Sequence, residues 1–166
     1  MFVVSTNPVS LGMMKPPCDF GADIVTGEAQ PLGIPLSFGG PLLGLFSCKE
    51  RYLRQMPGRI VGKTVDASGR PGYVLTLQTR EQHIRRERAT SNICTSEAWI
   101  ATSVAIHLSA LGPGGLRQVA ELCYQKAHFT AGRIASIPGY SVYPPLVGKT
   151  DLDSDGYWFN EFVVCC

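Results

Sequence analysis

The chain has 166 residues, of which 45% are hydrophobic and 17% charged. That length suits a single domain of about 100–200 residues with a packed core, while a charge content under the roughly 25% of a typical soluble domain points to surface that a partner covers. A net charge of +2 without a long lysine or arginine run excludes the concentrated basic stripe that nucleic-acid binding needs.

The opening segment, Met1 to Ser10, is apolar only as far as Val4 and has no basic leader. It fits neither a signal peptide nor a membrane span, so a cytoplasmic protein is expected. Phe2 to Ser5 predicts a short buried strand, followed by a loop through Pro8, Pro16 and Pro17, where the missing N–H donors forbid regular structure. Ala22 to Thr26 predicts a second strand. The breakers from Gly33 to Pro41 predict loop, or short strand bent by glycine.

Leu43 to Cys48 predicts a strand running into a short helix, Glu50 to Met56, which Pro57-Gly58 ends. Arg59 to Val65 and Tyr73 to Gln78 then form a β-hairpin with a long turn, Asp66 to Gly72. Arg80, Arg85, Arg86 and Arg88, interrupted by Glu81 and Glu87, read as a salt-linked helical face rather than a phosphate or RNA patch.

Two helices follow. Thr95 or Ser96 can cap the first, Glu97 suits its positive end, and Trp99, Ile100, Val104, Ile106, Leu108 and Leu111 give it apolar surface until Gly112-Pro113. The second starts near Pro113, carries Leu116, Val119, Leu122 and Cys123, and stops at Ile137-Pro138-Gly139. Tyr140 to Tyr143 and Phe159 to Val164 predict strands of a smaller α+β unit. The expected domain boundary lies near Gly112, dividing the chain into 1–112 and 113–166.

Asp151-Leu152-Asp153-Ser154-Asp155-Gly156 resembles the start of a calcium loop, but the twelfth place holds Phe162 where a bidentate acid belongs, which favours a polar turn. Gly39-Gly40-Pro41-Leu42-Leu43-Gly44 lacks dinucleotide spacing and serves a bend. His83, His107 and His128 lie at no ligand spacing, and the six cysteines include no C-x-x-C, so reduced thiols are expected. Vicinal Cys165 and Cys166 leave a redox or metal role conceivable.

Long strings then meet a family. Gly21-Ala22-Asp23-Ile24-Val25-Thr26-Gly27-Glu28-Ala29-Gln30-Pro31-Leu32-Gly33-Ile34-Pro35 and on to Pro41, Met56-Pro57-Gly58-Arg59-Ile60-Val61-Gly62, Thr76 through Glu87, Ala89 through Thr95, and Phe159-Asn160-Glu161-Phe162 resemble subunit 1, the alpha subunit, of split glycine decarboxylase, the P-protein of the glycine cleavage system. The resemblance spans about Val3 to Val164. It implies an α/β fold: part of an aspartate-aminotransferase-like large domain (PLP-dependent transferase, fold type I), followed by the start of a small α+β domain. It also implies a chain that begins inside the first domain and ends inside the second.

The same resemblance implies pyridoxal 5'-phosphate chemistry at a subunit interface, where glycine loses CO2 and its aminomethyl group passes to the lipoyl group of H-protein. In the cofactor-bearing half of such enzymes a lysine precedes the Ile-Pro pair; matched on Ile34-Pro35, that place holds Gln30. An amide has no amine to condense with an aldehyde. The implied partners are therefore a lysine-bearing P-protein subunit 2, which holds the cofactor, and lipoylated H-protein, with glycine as substrate of the complex. For this chain no catalytic residue is expected. Thr90, Ser91 and Asn92, just before a helix, are candidates to reach the partner's cofactor phosphate, and Arg80, His83 and Arg85 to support that loop. The rival readings are a structural or regulatory interaction module, an ordinary polar start to the helix at 90–92, and a self-sufficient pyridoxal enzyme that uses another lysine.

Overall fold

Three strands form the main sheet, in the order β1 (Val3–Thr6), β2 (Ile24–Glu28), β3 (Gly44–Cys48). β1 and β2 are parallel, with Val3 opposite Ile24, and β3 is antiparallel to β2, with Gly44 opposite Glu28. The computed structural model describes residues 1–77, 81–89, 91–93, 97–144 and 158–166. A parallel pair requires a crossover. Here residues 7–23 supply it with two 3-10 turns, Pro8–Gly12 and Pro17–Phe20, each starting at a proline where the absent N–H is not missed. Asn7 caps the first, its Oδ1 accepting from Val9 N at 3.0 Å.

The expected buried strand at the amino terminus is instead half-exposed, because β1 is the sheet's edge and Phe2 and Val3 stay about half open to solvent. The helix expected at 50–56 is a 3-10 turn, Glu50–Gln55. The hairpin forms as β4 (Ile60–Val65) and β5 (Pro71–Thr76), antiparallel with Val65 opposite Pro71. Its turn is shorter than expected because Asp66 closes it: Oδ1 accepts from Ser68 N at 2.8 Å and Arg70 N at 2.9 Å, and Asp66 N donates to Arg70 O at 2.8 Å.

The arginine–glutamate face does not form as one helix. α1 (Gln82–Arg85) is a single turn, and Arg86 at φ 54° breaks the helical path before a 3-10 turn, Arg86–Arg88. Arg80 lies outside the described residues, and Glu81 is buried with Arg59 Nε at 3.8 Å.

The two expected helices appear as α2 (Ala98–Ala135), interrupted at Gly112, whose φ 66° and ψ 174° are not helical. That conformation is essentially restricted to glycine, and Pro113 restarts the helix at a position that needs no N–H donor. The capping residues Thr95 and Ser96 lie outside the described residues. Glu97 occupies the N-cap position without a side-chain hydrogen bond.

α2 crosses the core. Val104 and Ala120, one on each side of the interruption, join Val9, Ala29, Leu32 and Leu43 in the buried cluster. The second expected strand pair is present but short: β6 (Ser141–Tyr143) pairs antiparallel with β7 (Val163–Cys165). Phe159 to Phe162, expected as strand, is irregular. Its side chains pack towards α2 and Trp158 instead of alternating across a sheet: Phe159 leans on the core and Phe162 contacts the Trp158 ring at 5.3 Å. The acidic segment 151–156 lies outside the described residues.

Candidate functional site

A cavity of about 820 Å³ opens where β1 and β2 end, lined from the sheet by Ser5, Thr26, Glu28 and Gln30 and from the far side by Trp158 and Glu161. The carboxyl ends of neighbouring parallel strands are the usual place for a ligand in an α/β sheet. Gln30, singled out from the sequence, is therefore on the cavity wall.

Glu28 sets the shape of that wall. Its Oε1 accepts from Gln30 N at 3.0 Å and from Leu43 N at 2.7 Å, so one carboxylate ties together both ends of the glycine-rich loop between β2 and β3. Ile34 N donates to Gln30 O at 3.0 Å and extends the closure. Gly33, at φ 94°, sits against the His107 ring, where an added Cβ would fall 2.4 Å from Cγ. His107 is thus a packing residue on α2 and does not enter the cavity lining.

The opposite wall rests on a stack. The Trp158 and His128 rings lie parallel with centroids 3.7 Å apart, Tyr124 tilts onto His128 at 4.0 Å, and His128 Nε2 is 3.2 Å from the Trp158 carbonyl oxygen, which accepts its proton. Trp158 is buried, and its indole Nε1–H has no acceptor among the described residues. The sequence reading missed both Glu28 and this stack. Glu28 carried a signal, an acid at a strand end before a loop rich in N–H donors; His128 and Trp158 are 30 residues apart and carried none.

Beneath the sheet Asp23 forms a clasp. Its Oδ2 accepts from Phe2 N at 2.8 Å, and its Oδ1 accepts from Lys49 Nζ at 2.9 Å and from Arg51. The Lys49 hydrogen bond, followed by that from Phe2, holds the carboxyl at about 2, against the opposing pull of burial. The clasp fixes the starts of β1 and β2 to the end of β3, and so aligns the opposite ends that form the cavity.

The other candidates lie away from this cavity lining. Ser91 is half-buried, Asn92, His83 and Arg85 are exposed, and Thr90 lies outside the described residues. No group of three metal-ligating side chains occurs among the described residues, and no described helix is long and apolar enough to cross a membrane.

These features define a candidate α/β ligand site, with a loop closed at the carboxyl ends of two parallel strands. The glycine cleavage system P-protein family matches residues 1–143, and the chain belongs to that family. It is 53% identical over 164 residues to a probable glycine dehydrogenase (decarboxylating) subunit 1 of Thermomicrobium roseum and 57% identical over 164 residues to that of Chlorobium limicola. Each alignment takes in 99% of this chain, against 34% and 35% of the relative. The chain thus spans about a third of the length of the curated relatives it matches.

It is also similar to a crystal structure of glycine decarboxylase (P-protein) of the glycine cleavage system in inhibitor-bound form, with TM-score 0.79, 48% identity, and coverage of 84% of this chain and 32% of that one. The family generally uses pyridoxal phosphate, but the cavity residues of this chain do not fit it. Gln30 offers a carboxamide where an amine is required, and the described lining contains the carboxylates Glu28 and Glu161 but no lysine or arginine to meet a phosphate.

Proposed function

We propose that the chain is part of a non-catalytic alpha subunit of a split glycine decarboxylase, with pyridoxal phosphate held by the lysine of subunit 2. The observation that carries this reading is Gln30 on the wall of the cavity, in the place that the family resemblance gives to the cofactor lysine. Residues 1–112 then belong to the large domain of an aspartate-aminotransferase-like fold and 113–166 to the start of the small domain. The assembled enzyme works in the cytoplasm, decarboxylates glycine and passes the aminomethyl group to the lipoyl arm of H-protein. The bound cofactor would supply the electron sink for decarboxylation.

The contribution of this chain's own residues is orientation and charge. Ser91, half-buried, and Asn92, exposed, ahead of α2, offer hydroxyl and amide donors to the phosphate on the partner; the reading includes Thr90, which lies outside the described residues. A hydrogen bond to a charged group contributes about 1.5–3 kcal/mol.

Two measurements test the reading. Borohydride reduction of the isolated chain with pyridoxal phosphate, followed by peptide mapping, should leave every lysine unmodified; a pyridoxyl adduct on any of them would restore the self-sufficient enzyme. In a complex with a lysine-bearing subunit 2, Ser91→Ala and Asn92→Ala should each weaken cofactor binding by about tenfold or more and lower glycine–bicarbonate exchange. Unchanged cofactor affinity and exchange in both would reduce the chain to a structural module.

A further inference from the structure

β1 is an open side of the main sheet. Ile24 N donates to Phe2 O at 3.3 Å, and in a parallel ladder alternate residues turn both N–H and C=O to the same neighbour. Phe2, Val4 and Thr6 therefore bond towards β2, while the N–H and C=O groups of Val3 and Ser5 point to the other edge, where no strand pairs with them among the described residues. An edge strand that stays in water is ordinarily blunted by a charge, a proline or a bulge. Val3-Val4-Ser5-Thr6 contains neither charge nor proline, and its register with β2 runs without a bulge.

Beside this edge lies an apolar cleft of about 470 Å³, lined by Phe2 and Val4 of the first strand segment and by Leu11, Met14 and Phe20 of the crossover. Phe2 remains 49% exposed and Phe20 66%. Edge and cleft together define the shape of an occupant. The ladder groups of Val3 and Ser5 require an extended polypeptide, and every second side chain of such a strand falls on the face where the cleft opens. A small apolar ligand would fill the cleft and leave the ladder groups unpaired.

We propose that β1 receives a further strand from the portion of a subunit 1 polypeptide that lies outside the matched stretch, with apolar side chains at alternate positions seated over the cleft. Two observations favour that source. The alignments take in 99% of this chain but only 34% and 35% of the two relatives, so most of such a polypeptide is free to supply the strand. A parallel pair, moreover, ordinarily lies within a sheet that is covered on both faces, whereas here β1 is parallel to β2 and forms the rim. The inference rests on membership of the family and stands whichever subunit holds the cofactor.

Hydrogen exchange, detected by NMR on the chain alone and on the chain co-expressed with the outside portion of a subunit 1 relative, tests this. The Val3 and Ser5 amides should exchange about tenfold or more slowly in the complex, as amides do on joining a ladder. Ser5→Pro removes an outward N–H that β2 does not use, so the circular dichroism of the isolated chain should stay unchanged while recovery of the complex falls by about tenfold. Leu11→Glu, which sets a charge against the cleft, should lower recovery as well. The intact relative provides a readout that needs neither a variant nor assembly from two pieces: its amides aligned with Val3 and Ser5 should be protected. Should the two pieces fail to co-purify, the intact relative decides alone. Fast exchange at these positions, in the complex or in the intact relative, would overturn the proposal. Protection in the chain alone that grows with its concentration would also overturn it, by making a second copy the occupant, and so would protection conferred by subunit 2 without the outside portion.

Discussion

Asp23 is a single carboxylate on which three strands converge, and its low pKa has a direct consequence for stability. The folded value of about 2 lies below the ordinary 3.8, so the stabilisation it gives is fully present above about pH 4 and is lost as the pH falls towards 2. Denaturant midpoints of the chain and of Asp23→Asn, compared across that range, should differ most at neutral pH and converge in acid. A constant difference down to pH 2 would show that the carboxylate's charge is not what holds the clasp. At this scale much of the site was hidden in the sequence. Gln30 was legible because a family resemblance fixed what should stand there. Glu28 was legible only in part, as an acid at a strand end before a loop rich in N–H donors, and Asp23 was not, since its importance lies in which N–H group and cations the fold brings to it.

Among the elements, the interruption of α2 was the most legible, because Gly112-Pro113 breaks a helix by local geometry alone. Alanine at 112 would have to adopt φ 66° and ψ 174° or straighten the helix, which would pull Val104 or Ala120 from the core. Such strain costs about 1–3 kcal/mol, and Gly112→Ala should lower the unfolding free energy by that amount in a denaturant titration. An unchanged midpoint would mean that the two halves of α2 tolerate another angle. The hairpin was legible for similar reasons, through β-rich runs separated by turn residues. Two expectations failed where tertiary contacts overrode local pattern. The charged run at 80–88 has helical spacing but includes Arg86 at positive φ, and the aromatic run at 159–162 reads as strand yet packs against α2 and Trp158. Whether β1 joined its neighbour in parallel was not readable either, since that depends on the crossover's path.

Across the whole molecule the distribution of apolar surface was foreshadowed by the low charge content. Phe2, Phe20, Phe38, Trp99, Phe129 and Tyr143 are among the large side chains left open, and the edge of β1 is bordered by an apolar cleft lined by Phe2, Val4, Leu11, Met14 and Phe20. Exposure on this scale marks surfaces that bind other polypeptide. The isolated chain should therefore bind a hydrophobic dye strongly, and the signal should fall when subunit 2 is added. Weak dye binding by the isolated chain would mean that these side chains find cover within it.

The clasp at Asp23 also bears on how the protein can be extended. The bond from Phe2 is donated by a peptide N–H, which persists whether residue 1 opens the polypeptide or follows further sequence. The Met1 ammonium, at 3.9 Å, would vanish on fusion, but Lys49 and Arg51 would still neutralise the carboxylate. An affinity tag or a preceding domain can therefore be joined at that end without loosening the anchor of the sheet.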